Sequence, residues 1–125
     1  MTISVDASQL GRLSADLTRA GTRVQQAAFD VVKKVAGQVK KDAVANATGI
    51  GHAPHYPRSI SYTIYPHGLR TIEAEIGPDK NGPQGALGNI LEFGTSKNAP
   101  IPHLQPALDA NQARFERLLQ LAAVI

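Results

Sequence analysis

Histidines and carboxylates, the residues best suited to catalysis or metal binding, are few and scattered in this chain. His52 and His55 form the one close pair of histidines, in the segment His-Ala-Pro-His. A zinc site needs three or four ligands held by defined structure, and no acidic residue stands near this pair in the sequence. The chain also has no cysteine, which excludes thiolate ligands and disulfides. We therefore predict exposed loop histidines, no metal site and no cofactor.

The carboxylates and hydroxyls give no clear arrangement for catalysis. Glu73 and Glu75 lie two residues apart, so they share one face of a predicted strand, where such pairs are mostly solvated. Ser59 and Ser96 have no neighbouring His–Asp arrangement in the sequence. We predict that the protein is not an enzyme, and a hydrolase that uses Glu92 or Glu73 is the less favoured alternative.

Composition and charge favour one small domain with a basic first half. The chain has 125 residues, of which 42% are hydrophobic, and we predict a single domain over residues 1–125. Residues 1–70 hold nine Lys and Arg against four Asp and Glu, whereas residues 71–125 hold four against six. This asymmetry could steer subunits together head to tail or present a basic face to nucleic acid, although an exposed helix also needs such residues for solubility.

Neither a leader nor a membrane segment is expected. The first residues, Met-Thr-Ile-Ser-Val-Asp, lack the basic region and apolar run of a signal peptide. No apolar stretch approaches the roughly 20 residues that span a bilayer. We expect a soluble protein that is made in the cytoplasm and has no membrane partner.

Helical periodicity dominates the first part of the chain and predicts a long helix over residues 7–47. Apolar residues recur at steps of three and four from Leu10 to Val39, which is the pattern of an amphipathic helix. Basic residues fall on the opposite side of such a helix. Those that we predict as charge contacts, to DNA or to an acidic neighbour, are Arg12, Arg19, Arg23, Lys33, Lys34, Lys40 and Lys41.

After this helix the period of the apolar residues changes from 3.6 to 2. Alternating apolar and polar residues predict two strands, at 59–65 and 71–77, which a turn joins into a hairpin. The apolar face of the hairpin needs cover, so we predict an α+β fold in which the long N-terminal helix and a C-terminal helix pack on a small antiparallel sheet. The other predicted segments are a loop at 49–57, a mobile loop at 78–85 and the C-terminal helix at 106–123. Residues 86–93 favour a short helix, with a third strand as the alternative.

The most specific feature of the sequence is Leu91-Glu92-Phe93-Gly94-Thr95-Ser96, followed by a Pro-rich loop and by Gln105-Pro106-Ala107-Leu108-Asp109. Gly94 breaks the first element, and the fixed φ of Pro106 suits the first turn of a helix. This order of Glu-Phe-Gly-Thr, a Pro-rich loop and Pro-Ala-Leu resembles the small neck proteins of long-tailed bacteriophages, the head–tail joining or tail-completion proteins. Ser59-Ile60 also fits their pattern, whereas His55-Tyr56-Pro57-Arg58 stands where Thr-Gly-x-Leu is usual.

This resemblance implies a non-enzymatic virion structural protein at the junction of capsid and tail, assembled in the host cytoplasm. Its subunits would form a ring, for which we expect six copies, that completes the tail, contacts other neck and tail proteins and lets DNA pass through its lumen. A tail terminator that caps the tail tube and a small basic DNA-binding module are the alternatives. The implied assembly motif comprises Glu92, Phe93, Gly94, Thr95, Pro106, Ala107 and Leu108.

Three local expectations concern this motif and the loop before the hairpin. The Glu92 carboxylate should accept backbone N–H groups from residues 95–97 or pair with Arg58, with an ordinary exposed side chain as the alternative. Phe93 should be buried against the C-terminal helix, since no other aromatic residue lies nearby to fill that space. The loop at 49–58 should be poorly ordered, because its composition offers no apolar anchors.

Overall fold

An antiparallel sheet covered by helices forms the architecture, which confirms the predicted α+β fold. The structure, a computed structural model, describes residues 4–6 and 11–124. Its strands are β1 (Ser4–Asp6), β2 (Arg12–Asp16), β3 (Ile60–Tyr65) and β4 (Thr71–Pro78), and its helices are α1 (Thr22–Ala47), α2 (Gly88–Phe93) and α3 (Leu104–Ala122). The four strands lie in the order β1-β2-β4-β3, and every neighbouring pair is antiparallel.

β3 and β4 form the predicted hairpin, and their alternation places apolar and polar side chains on opposite faces. Ile64 pairs with Ala74, and Tyr62 pairs with Ile76. The turn between the strands passes through Gly68 at φ +67°, a left-handed conformation that glycine adopts without steric cost. The apolar face of the hairpin packs against α1 and contributes to the hydrophobic core.

The predicted helix over 7–47 is wrong in its first part. α1 begins at Thr22, and residues 12–16 form β2, which pairs with β4 in the sheet. Residues 7–10, the predicted start of the helix, lie outside the described residues. The second half of the prediction holds, since α1 ends at Ala47.

Residues 12–16 show the alternation of a strand. The apolar residues of the longer segment around them recur at steps of three and four, which favoured a helix in the sequence pattern. Leu13 and Ala15 are fully buried, while Ser14 between them is only half-buried on the opposite face. Gly11, at φ +72°, precedes the strand at a point where a Cβ would overlap the carbonyl oxygen of Ile76. Pairing with β4 decides the conformation, because the ladder satisfies the backbone groups of a buried segment.

α1 contacts both the sheet and α3, and the three together enclose one core. The inward side of α1 is built from small and β-branched residues, such as Ala28 and Val35, both fully buried. α3 contributes Phe115 and Leu119 to the same core. Within the described residues, no helix combines the length and the apolar character that a bilayer span requires.

Two predicted boundaries in the second half of the chain are close to those observed. α2 confirms the short helix expected at 86–93 and follows a 3-10 turn, Gly85–Leu87. α3 begins at Leu104, two residues before the predicted start at Pro106, and ends at Ala122.

The expectation that the loop at 49–58 lacks apolar anchors is wrong. Ile50, Ala53 and Tyr56 are buried and belong to the hydrophobic core. Tyr56 opens a 3-10 turn, Tyr56–Ser59, that leads directly into β3. An aromatic residue and two aliphatic residues therefore anchor this loop, which connects α1 to β3, in the core.

A pair of charged substitutions tests the strand at 12–16 against a helix. Ala15→Asp should lower the free energy of unfolding by about 3 kcal/mol or more, because it places an unpaired charge in the core. Ser14→Lys should change it by about 0.5 kcal/mol or less, since Ser14 lies on the other face, where it pairs with Glu73. Urea denaturation measures both values. In a helix with Leu13 on its apolar side, residue 15 would lie on the polar side, so a tolerated Ala15→Asp would contradict the strand.

Candidate functional site

The Glu92 carboxylate is buried against the N-terminus of α3 and caps it from outside the helix. One of its oxygens, Oε1, accepts the backbone N–H groups of His103 at 3.1 Å and Leu104 at 2.9 Å. The other oxygen, Oε2, accepts the N–H of Gln105 at 3.4 Å. The side chain of Glu92 is 3% exposed. The positive end of the helix dipole also favours a carboxylate at this position.

Pro106 completes the set of backbone groups at this helix start. The first four N–H groups of an α-helix have no partner within the helix. In α3 these positions are His103, Leu104, Gln105 and Pro106. Glu92 accepts the first three, and proline has no N–H to satisfy. The Glu and Pro of the sequence motif are therefore two halves of one capping arrangement.

Gly94 ends α2 and starts the loop that returns the chain to α3. Its φ is +76°, and a Cβ there would lie 2.8 Å from the carbonyl oxygen of Asn98. The N–H of Thr95 donates to that same oxygen at 2.9 Å. Further along, the N–H of Ile101 donates to the carbonyl of Leu91 at 2.7 Å. Gly94 is thus required by the close approach of the two sides of this loop.

A buried hydrogen-bond chain extends the cap to the start of the hairpin. Nδ1 of His103 lies 2.9 Å from the carbonyl oxygen of Ile101 and 3.1 Å from Oε1 of Glu92. Both are acceptors, so in the neutral ring Nδ1 carries the hydrogen. Nε2 then accepts the hydroxyl hydrogen of Tyr56, at 2.7 Å. The two rings also meet edge to face, with centroids 5.1 Å apart.

The order carboxylate, imidazole, hydroxyl resembles a catalytic triad, but its environment is that of a structural network. Tyr56 and His103 are both fully buried. Burial, together with the charge of Glu92, raises the pKa of Tyr56 from 10.0 to about 12. A nucleophile needs a lowered pKa and access to substrate. The chain of bonds therefore fixes the loop before β3, the loop before α3 and α2 relative to each other.

The buried motif residues Ala107 and Leu108 anchor the first turns of α3 in the core. The amide of Asn46, at the end of α1, donates to the carbonyl of His103 at 3.2 Å. Neither Arg58 nor the N–H groups of residues 95–97 contact Glu92, which corrects the partners expected for it. The N–H groups that donate to Glu92 lie eleven to thirteen residues further along the chain. Sequence spacing alone does not predict a contact over that separation.

Phe93 is 66% exposed, so the expectation that it is buried against α3 is wrong. In α2 the inward face holds Gly88, Leu91 and Glu92. Phe93 follows Glu92 by about 100° around the helix and points away from that face. Since the N–H groups of α3 require the carboxylate, the neighbouring phenylalanine is left outside.

Ile90, one of the exposed apolar residues of α2, lines a small groove. Ile90 is 46% exposed, and like Phe93 it belongs to the outer side of α2. The groove has a volume of about 240 Å³. Its lining residues are His52, Leu87, Ile90, Leu91, Asn98, Ala99 and Ile101. We call Ile90 and Phe93, with this groove, the α2 surface.

The predicted basic residues separate into two groups. Arg12 lies on β2 and pairs with Glu73 at 2.6 Å, and Arg19 precedes α1, so neither belongs to a helical stripe. Arg23 lies in the first turn of α1. The four lysines Lys33, Lys34, Lys40 and Lys41 do lie on α1, outside its buried side.

The structure adds a basic residue that the helical pattern missed. Arg114 of α3 joins Lys33, Lys34 and Lys41 around a shallow cleft of about 460 Å³. Only tertiary packing brings this arginine beside the α1 lysines, because it lies on a different helix. Lys40 borders a separate depression of about 300 Å³, which Arg58 also lines.

The other candidate sites for chemistry do not assemble in the described part of the chain. Glu73 and Glu75 share the outer face of β4, as the pattern predicted, but Glu73 is held by Arg12. His55 is bonded through Nδ1 to the guanidinium of Arg58 at 2.7 Å. Among the described residues, no three His, Cys, Asp or Glu side chains are grouped to hold a metal ion.

Comparisons with protein families, with characterised proteins and with solved structures gave no match for this chain. Its function has to be inferred from the Glu-Phe-Gly-Thr motif and from the geometry of its surfaces.

Replacing the cap tests whether Glu92 holds the start of α3. Glu92→Gln keeps the shape and removes the charge, so the free energy of unfolding should fall by about 1.5–3 kcal/mol. Hydrogen exchange at the amides of Leu104 and Gln105 should become faster. Glu116→Gln removes an exposed carboxylate from the same helix and should cost about 0.5 kcal/mol or less. Equal effects of the two changes would show that Glu92 does not support the helix.

The raised pKa of Tyr56 predicts a loss of stability at high pH. Below about pH 10 the phenol is neutral in both the folded and the unfolded chain, so its contribution is constant. Between about pH 10 and 12 the unfolded chain releases the proton and the folded chain keeps it, so stability falls.

Tyr56→Phe lacks this ionisation and serves as the reference. The difference in unfolding free energy between the native chain and this variant should shrink across that window, as followed by urea denaturation at a series of pH values. A difference that stays constant up to pH 12 would contradict a buried, neutral Tyr56.

Proposed function

We propose that this protein is a non-enzymatic subunit of the head–tail junction of a long-tailed bacteriophage, where copies of the chain form a ring. The sequence motif Glu92-Phe93-Gly94-Thr95, with Pro106-Ala107-Leu108, supports this proposal by its resemblance to small neck proteins. The structural observation that carries it is the exposure of Phe93 beside the Glu92 cap of α3. The ring would lie in the virion neck, and its subunits would assemble in the host cytoplasm.

The exposure of Phe93 marks a docking surface because the frame around it is fixed. Its neighbours Leu91 and Glu92 are buried, and Gly94 turns the chain at a conformation that few residues adopt. Phe93 therefore cannot rotate inward without removing the cap of α3. Burying such a side chain in an interface contributes about 1.5–3 kcal/mol, and aromatic residues are frequent hot spots of interfaces.

A closed ring requires a head-to-tail interface rather than a two-fold one. The α2 surface offers the exposed ring of Phe93 and the groove that Ile90 lines. A contact of this surface with a different part of the next copy repeats around a closed ring. A tail-completion ring and a tail terminator would both use such a contact, and the completion ring is favoured by the sequence motif.

The buried network opposes catalysis as the main role. Tyr56 and His103 lie in the core with no exposed surface, and Glu92 is occupied by three backbone N–H groups. These residues hold elements together and present nothing to a substrate. A structural subunit requires this kind of rigid frame, since ring contacts depend on a fixed surface.

Replacing the exposed aromatic ring of Phe93 by a small polar side chain tests the proposed interface. Phe93→Ser should leave folding intact, because the side chain is mostly exposed. It should raise the dissociation constant of the oligomer by about tenfold or more, since the lost burial amounts to about 1.5–3 kcal/mol at each interface. Sedimentation velocity and native mass spectrometry over a concentration series measure the change and the number of copies.

Leu121→Ser is the matched control, because Leu121 is 58% exposed and lies near the end of α3, away from the motif. It should assemble like the native chain. If Phe93→Ser and Leu121→Ser weaken the oligomer equally, the contact between subunits does not depend on the α2 surface. A native chain that stays monomeric at every concentration and is missing from neck-containing particles would contradict the ring itself.

A further inference from the structure

The outer side of α1 carries a group of cations that form no ion pair with the acids of the described residues. We call Lys33, Lys34, Lys41 and Arg114 the α1 basic cluster; they surround one shallow cleft. Within the described residues, none of the four forms a salt bridge. The single acid in the cleft lining is Asp30, so four positive charges stand against one negative charge.

The shape of the cleft gives an elongated anion access to these cations. Gly37 lies among the lysines, and a Cβ at this position would meet no atom within 4 Å, so the middle of the cleft is open. Tyr62 of β3 contributes to one part of the lining and Arg114 of α3 to another. The cations thus come from two helices, with an uncovered stretch of α1 between them.

We propose that the α1 basic cluster binds the phosphate backbone of double-stranded DNA, independently of base sequence. Lys41 follows Lys34 by seven residues and Lys33 by eight. The distance along the helix axis is therefore roughly 10–12 Å at 1.5 Å per residue. One strand of B-DNA advances about 3.4 Å per phosphate, so this span covers about three phosphates. Arg114 adds a planar donor group suited to phosphate oxygens.

The cluster consists of cations, which contact phosphates without regard to base sequence. α1 is packed on the sheet and on α3, so only one side of it is available to a duplex. The one aromatic residue in the cleft lining is Tyr62. Contacts of lysine and arginine side chains with phosphates neutralise the phosphates and release counterions, which gives affinity without sequence preference.

A second copy of the chain fits the cluster less well, because its acids are dispersed or already bonded. Glu92 is buried under α3, and Asp42 accepts from the amides of Gln38 and Asn111. The exposed acids of the described residues are dispersed over β2, α1, β4, the loop after β4 and α3; examples are Asp16, Asp30 and Glu116. A duplex, with one charge per about 1.7 Å, offers the dense negative charge that the chain lacks.

This inference goes beyond the proposed ring, because it concerns a surface of the single subunit that is separate from the α2 surface. Charge on α1 and the apolar contact of Phe93 can be removed independently. Loss of DNA binding with an intact oligomer, or the reverse, therefore distinguishes the two proposals.

Fluorescence anisotropy with two labelled duplexes of unrelated sequence, each of about 30 base pairs, tests the inference over about 50–200 mM salt. The test variant combines Lys33→Gln, Lys34→Gln, Lys41→Gln and Arg114→Gln. The control variant combines Arg70→Gln, Lys80→Gln, Lys97→Gln and Arg117→Gln, which lowers the formal net charge by the same amount at exposed or partly exposed positions elsewhere.

The native chain should bind both duplexes equally and lose affinity steeply with salt. The test variant should bind at least about tenfold more weakly, and its slope of log K against log salt should flatten by up to about 3–4, since each phosphate contact contributes about 0.9. The control variant should retain most of the affinity and the slope. Both variants should unfold and oligomerise like the native chain.

Three results would overturn the inference. Equal loss in the two variants would mean that net charge alone drives binding. A preference for one duplex would mean recognition of bases. Poly-L-glutamate could also displace the duplex at a lower concentration of negative charges than unlabelled DNA needs. That result would assign the cluster to an acidic protein partner.

Discussion

Three backbone N–H groups at the start of α3, two of them buried and one partly buried, need an acceptor, and the Glu92 carboxylate supplies it. Unsatisfied donors at a buried helix end cost free energy comparable to lost hydrogen bonds. The position of Glu92 therefore fixes how α2 approaches α3. The close loop at Gly94 and the proline at position 106 follow from the same contact.

The cap is also the point where distant parts of the chain meet. His103 connects the carboxylate to Tyr56 before β3, and its carbonyl accepts from Asn46 at the end of α1. Four segments that are far apart in sequence thus share one small buried polar cluster. Such clusters favour one arrangement over others, because each partner must be present for the rest to be satisfied.

The same constraint separates Phe93, which faces outward, from the motif residues whose contacts hold the fold. Glu92, Gly94 and Pro106 have structural tasks that their backbone and side-chain contacts explain. Phe93 has none, and its exposure follows from the orientation of Glu92. The motif therefore combines a rigid turn with a projecting aromatic ring. The basic cluster lies on a separate surface, formed by α1 with one residue of α3.

Local patterns in the sequence determined the α+β class, the hairpin, the short helix before Gly94 and the end of α1, because period and turn residues act over a few neighbours. The strand at 12–16 was misassigned, since its alternation spans only five residues and pairing with β4 decided it. The partners of Glu92 and the addition of Arg114 to the lysines depended on contacts between elements distant in the chain. Sequence spacing fixes which residues share a face of one element. Only tertiary packing decides which faces meet, because that choice depends on satisfying buried backbone groups and filling the core across the whole chain.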